Sequence, residues 1–205
     1  MAVRKEAPKR TSIVIFGASG DLTSRKIIPA LHSLMCAGLV PKSTQIIGVA
    51  RSPLTDDAFR DRLSKGMAKN SRLPPGVKKQ WPSLAPNLSY LAGDYDDPKT
   101  YRLLAGMLSN SGKDPVKANH LFYLSTPPQL FPIIVKQLGS SGLARPGSAW
   151  TRIIIEKPFG RDRKSARKLN VQLHAVFNEG QVYRIDHYLG KEYTVSVLKS
   201  NLSRL

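Results

Sequence analysis

The segment Ser12-Ile13-Val14-Ile15-Phe16-Gly17-Ala18-Ser19-Gly20-Asp21-Leu22 constrains this chain more than any other. A short, almost wholly apolar run meets two glycines and then residues able to turn helical. Such a run fits a strand buried on both faces, as in a parallel sheet covered by helices. Gly17 and Gly20 lack the Cβ atoms that would block a tight turn and the close approach of a diphosphate. The N–H groups that open the following helix would then face that diphosphate, aided by the helix dipole. Taken alone, a GxxG turn fits a dinucleotide site and a plain structural turn alike.

Five further strand candidates follow: Gln45–Ala50, Leu88–Ala92, His120–Ser125, Arg152–Glu156 and Gln181–Ile185. Helical candidates fall between them, over about 22–38, 55–69, 98–109, 127–138 and 162–178. This alternation predicts an α/β fold with a doubly wound, mostly parallel, Rossmann-like sheet. Thr55-Asp56-Asp57 and Asp97-Pro98 read as helix starts, and Pro29 predicts a kink or restart inside the first helix. Ser71–Gly76 and Gly139–Gly142 read as turn-rich connectors.

The second strand candidate ends at Val49-Ala50-Arg51-Ser52. In dinucleotide folds the residue after that strand reads the adenosine ribose. An acid accepts the 2′-hydroxyl, whereas an arginine suits a 2′-phosphate through charge-assisted bonds. Arg51 therefore favours NADP over NAD. Leu124-Ser125-Thr126-Pro127-Pro128 closes the fourth strand and should line the same crevice, beyond the carboxyl ends of the strands.

The net charge of +18, from 32 basic and 14 acidic residues, suits anionic ligands. The basic residues are dispersed, aromatic content is 7%, and no basic motif is interleaved with aromatics, which argues against specific nucleic-acid binding. The single Cys36 cannot form an internal disulfide, in keeping with a reducing compartment, and its apolar setting reads as a buried, inert thiol. No apolar run approaches the roughly 18–20 residues that span a bilayer, so no membrane partner is expected. Residues 1–11 read as a flexible basic tail without a secretory signal, and a cytoplasmic location follows. No HExxH or CxxC pattern is present, and no metal site is expected.

Two more segments stand out. Ile155-Glu156-Lys157-Pro158-Phe159-Gly160 closes an apolar run, and Arg184-Ile185-Asp186-His187-Tyr188-Leu189-Gly190-Lys191-Glu192 packs six polar or ionisable side chains into nine residues. Together with GASGDL, these segments resemble the glucose-6-phosphate dehydrogenase family, in the same order from Ser12 to about Lys191. The resemblance implies hydride transfer from C1 of glucose 6-phosphate to NADP⁺, giving 6-phosphogluconolactone, the first step of the oxidative pentose phosphate route. It implies a dinucleotide-binding domain over 12–184. Residues 185–205, with Tyr193, Val197 and Leu198 at helical spacing, would open a second α+β domain truncated here.

The resemblance also implies roles for particular residues. Gly17, Ala18, Ser19, Gly20, Asp21, Leu22, Thr23, Ser24, Arg51, Phe131 and Lys157 would contact the cofactor. The family usually carries a tyrosine near Phe131; the phenylalanine would keep the surface that stacks on the cofactor and lose the hydroxyl that makes one hydrogen bond. Lys157 would bridge substrate and cofactor. His187, Tyr188 and Lys191 would hold the sugar phosphate; on a helix, His187 and Lys191 are i and i+4 and share a face. Asp186 would orient a histidine acting as general base. None of His32, His120, His174 and His187 matches that base, and the first three read as structural. The chain is therefore expected to bind NADP⁺ with negligible turnover. The family is typically homo-oligomeric through regions outside this chain. The competing readings are a non-catalytic NADP-binding module, half of a split enzyme, and a basic nucleic-acid-binding protein.

Overall fold

Runs of Ile, Val, Leu and Phe that are apolar at successive positions can bury both faces only inside a layered sheet, and they do so here. The computed structural model describes residues 10–69, 75–110, 118–144 and 149–185. Its strands are β1 (Thr11–Phe16), β2 (Gln45–Ala50), β3 (Leu88–Ala92), β4 (Asn119–Leu124), β5 (Thr151–Glu156) and β6 (Val182–Ile185). They form one sheet in the order β3-β2-β1-β4-β5-β6, with every neighbouring pair parallel. This is the doubly wound topology expected from the alternation of elements.

The helices are α1 (Ile28–Cys36), α2 (Asp56–Lys69), α3 (Pro75–Lys79), α4 (Trp81–Leu84), α5 (Pro98–Asn110), α6 (Phe131–Ser140) and α7 (Arg163–His174). Side chains alternate across the sheet, so two apolar layers result. Ile13 and Ile15 of β1 meet Leu31 of α1 and Phe59 and Leu63 of α2 on one face. Val14 and Phe16 meet Leu104 of α5, Ile134 of α6 and Leu173 of α7 on the other. At roughly 25 cal/mol per Å², burying side chains of this size is the main source of stability.

Local signals set the helix ends. Ala58 N–H donates to Thr55 Oγ1 at 3.2 Å, and Lys99 N–H to Asp97 Oδ1 at 2.8 Å. Asp162 caps α7 by accepting from Ser165 N–H at 2.7 Å. Pro29 has no N–H, and the turn before it widens to π registry over Thr23–Ile27, where Ile28 N–H bonds the Thr23 carbonyl. Several expectations shift. The helix expected over 127–138 is α6, which starts at Phe131 because Pro128–Leu130 form a 3₁₀ turn. It continues through Gly139 and Ser140, expected in a connector. The last helix ends at His174. Pro75 and Gly76, expected in a connector, open α3, whose polar five residues carry no apolar period to reveal it.

Candidate functional site

In this strand order the connections leave β1 and β4 in opposite directions, and a crevice opens between their carboxyl ends. Gly17 sits at that divergence with φ +84°, and a Cβ there would stand 2.2 Å from the Ser125 carbonyl oxygen. Glycine is required for both reasons. Its N–H donates to Val49 O at 2.9 Å, and Ala18 N–H shares that acceptor at 3.3 Å. Gly20 N–H returns to Gly17 O at 2.9 Å, where a Cβ on Gly20 would press at 3.0 Å. The chain turns helical directly after this loop, with Ser24 N–H bonded to Gly20 O at 3.4 Å, and the N–H groups of a first helical turn have no acceptor within the helix.

Several side chains of the loop turn inward. Ala18 is 1% exposed and Thr23 is wholly buried, its hydroxyl donating to Gly17 O at 3.4 Å. Ser24 is buried and donates to Asp21 O at 3.1 Å. Asp21 is exposed and pairs with Arg25 at 3.0 Å, and Leu22 packs against the core. What Gly17–Ser24 presents to a ligand is therefore mainly backbone, with Ser19 at its rim.

Arg51 lies exposed at the end of β2, its guanidinium 6.0 Å from the ring centroid of Tyr95. Tyr95 is fixed from two sides: its ring meets Phe16 edge-on at 6.2 Å, and its carbonyl accepts from Tyr101 Oη at 2.8 Å. Burial pushes the Tyr95 hydroxyl pKa up, against the opposing pull of the Gly17 backbone and the Arg51 charge. Ser52 Oγ donates to Ser19 Oγ at 3.1 Å, tying the β2 loop to the glycine loop, and Tyr90 Oη donates to Ser52 O at 2.8 Å. Sequence reasoning missed Tyr95. The one clue was an aromatic among Asp94, Asp96 and Asp97 just beyond a strand.

Across the crevice, Ser125 N–H donates to Phe16 O at 2.9 Å. The buried Ser125 Oγ and Thr126 Oγ1 have no hydrogen-bond partner. Buried hydroxyls are nearly always satisfied, so two orphaned ones beside Gly17 fit a bound polar ligand. Phe131 corrects an expectation: it is 0% exposed within the second apolar layer, and a ring with no free face cannot stack on a cofactor.

Lys157 is exposed at the end of β5, its bond to Pro158 is cis, and its N–H donates to Ile185 O at 3.1 Å. Asp186, His187, Tyr188 and Lys191 lie outside the described residues, although Asp186 follows directly on Ile185. Three histidines serve the scaffold. His32 is buried and its Nε2 meets Val77 O at 2.7 Å; burial lowers its pKa. His120 lies near the amino end of the central strand β4, the end opposite the crevice, with its pKa likewise lowered by burial. His174 Nε2 meets Glu179 at 3.0 Å. Cys36 is half-buried, not buried as expected, and partial burial still raises its thiol pKa.

The glucose-6-phosphate dehydrogenase NAD-binding-domain family model matches residues 14–196. The chain belongs to this family. It is 42% identical over 187 residues to glucose-6-phosphate 1-dehydrogenase of Aggregatibacter actinomycetemcomitans, covering 91% of this chain and 37% of that protein. Against the glucose-6-phosphate 1-dehydrogenase 2 of Mycobacterium bovis the identity is 40% over 188 residues, covering 91% and 36%. A solved glucose-6-phosphate dehydrogenase in complex with its substrate glucose-6-phosphate superposes with a TM-score of 0.79 at 36% identity, covering 90% of this chain and 38% of that one. The enzyme from Mycobacterium avium gives 0.75 at 38% identity, covering 89% and 37%. The chain thus spans a little over a third of the length of its curated relatives. Membership makes this an NADP-binding domain. Among the described residues, no cluster of three His, Cys, Asp or Glu could hold a metal, and no helix is long and apolar enough to cross a membrane.

Proposed function

We propose that this domain holds NADP⁺ across the β1/β4 crevice and serves hydride removal from C1 of glucose 6-phosphate. The diphosphate lies on the helix-opening N–H groups after Gly20, where the dipole favours negative charge. Arg51 meets the 2′-phosphate, its guanidinium held over Tyr95 at 6.0 Å. Ser125 and Thr126 supply hydroxyls to the cofactor. When bound, the nicotinamide takes up the hydride.

Lys157 stands between cofactor and sugar, and His187, Tyr188 and Lys191 grip the phosphate. As the hydride leaves C1, the C1 hydroxyl proton must pass to a base. Asp186 orients the histidine that takes it, and that histidine is none of the four in these 205 residues. A cytoplasmic setting suits the lone thiol Cys36. The observation that carries the NADP reading is Arg51 on its Tyr95 platform, cross-linked to the glycine loop through Ser52 and Ser19.

The test is turnover by the purified chain, scored as NADPH absorbance with glucose 6-phosphate. General-base catalysis contributes roughly 10²–10⁴-fold, so NADP⁺ should bind with negligible turnover. Robust NADPH production would show that a histidine of this chain is the base.

A further inference from the structure

Ile153, Ile154 and Ile155 fill β5 with apolar side chains, and Glu156 ends it with a carboxylate only 7% exposed. Burying a carboxylate is costly unless it is well paired, whereas another isoleucine there would bury apolar area at no such cost. Tyr123 of β4 pairs with Ile154 in the parallel register, so Tyr123 and Glu156 share one face of the sheet. The Tyr123 hydroxyl donates to Glu156 Oε1. Tyr123 is 2% exposed, and burial, followed by the carboxylate's charge, raises its hydroxyl pKa far above the ordinary value. It therefore keeps its proton and remains the donor.

The next residue along β5 is Lys157, whose N–H is bonded to Ile185 O on β6. Three strands thus converge on Lys157: β4 through Tyr123, β5 through Glu156, and β6 through Ile185. A polar pair in an otherwise apolar layer, directly before a crevice residue, is the kind of local departure that accompanies a site.

We propose that Tyr123 and Glu156 are positioning residues for Lys157. The β4 hydroxyl pins the β5 carboxylate and so fixes the backbone from which Lys157 projects at the crevice. This rests on the crevice role given to Lys157 above. The pair acts through Lys157, not through contact with cofactor or substrate.

The first readout needs no ligand: amide hydrogen exchange at Lys157 by NMR in the 205-residue chain. Tyr123→Phe removes only the hydroxyl and should speed exchange at Lys157 about tenfold while Ile153–Ile155 keep wild-type protection. Unchanged exchange at Lys157, or equal acceleration along all of β5, would overturn the proposal. Should Tyr123→Phe fold poorly, the double variant Tyr123→Phe/Glu156→Met removes both partners, a change that can be nearly neutral for stability. It should show the same local loosening.

The second readout is a double-mutant cycle on NADP⁺ affinity. Tyr123→Phe should weaken NADP⁺ about fivefold in the wild-type background and cause no further loss on Lys157→Ala. Equal losses in both backgrounds would mean that the pair does not act through Lys157. A wild-type chain that fails to bind NADP⁺ would sink the proposed function, and amide exchange would still decide the pair.

Discussion

The two ends of the crevice are built from different materials. At the Gly17–Gly20 end the surface offered to a ligand is backbone, and the neighbouring side chains of Ala18, Thr23 and Ser24 are turned into the core. At the Lys157 end the surface we propose is a side chain, and the strands beneath it carry two buried polar groups, Tyr123 and Glu156, joined by a hydrogen bond. The first end should tolerate little added volume, and the second little lost polarity. A backbone site is set by fold geometry, whereas a side-chain site is set by which partners the interior keeps.

The largest effect should come from Gly17→Val. Its φ of +84° is strained for any branched residue, and the Ser125 carbonyl, 2.2 Å from the new Cβ, is backbone that cannot swing aside. A loss of about 4 kcal/mol or more is expected, read as a denaturant midpoint. A near-native midpoint would mean the glycine end is no more constrained than the lysine end.

Gly20→Val should be milder for the fold and as severe for binding. Its Cβ would press Gly17 O at 3.0 Å, a contact that small adjustments relieve, but the branched carbons would occupy the diphosphate's approach. A well-folded protein without measurable NADP⁺ binding is expected. Wild-type affinity would reduce this turn to a structural one.

A smaller effect concerns acid, and it lies away from both ends. His32 and His120 are buried with pKa values lowered by that burial. The unfolded chain then binds more protons than the folded one below the ordinary imidazole pKa of about 6.5. Stability should therefore fall as pH drops from about 6.5, and level off below the folded values. The His120 Nε2 lacks a hydrogen-bond partner, so His120→Phe should flatten this acid limb. Each 1 kcal/mol is worth roughly 2–4 °C in Tm, so thermal scans between pH 5 and 7.5 will show it. An unchanged limb would exonerate His120.

The same contrast explains what could be read from the sequence. Apolar runs announced β1, β2, β4 and β5, which are buried along nearly their whole length. The less buried β3 and β6, and the parallel sheet itself, were legible from the alternation with helical segments. The glycine loop was legible because its chemistry is its backbone. Side-chain sites were less so. Phe131 looked like a cofactor platform, and only three-dimensional packing shows it 0% exposed. Tyr95 carried no pattern of its own, since its value arises from lying beneath Arg51. Tyr123 and Glu156 read as parts of strands, because nothing in their spacing reveals a bond between residues 33 apart. The roles given to Asp186, His187, Tyr188 and Lys191 rest on family resemblance alone, and these residues lie outside the described ones.

The central claim is that this crevice selects NADP⁺ and that Arg51 makes the selection. Calorimetric titration of NADP⁺ and NAD⁺ into the wild-type chain and Arg51→Ala tests it directly. A charge-assisted contact to the 2′-phosphate is worth roughly 1.5–3 kcal/mol, or about ten- to a hundredfold in affinity. The wild-type chain should prefer NADP⁺ by that factor, and Arg51→Ala should erase the preference while leaving NAD⁺ nearly unchanged. Equal weakening of both cofactors, or a wild-type chain indifferent between them, would contradict it.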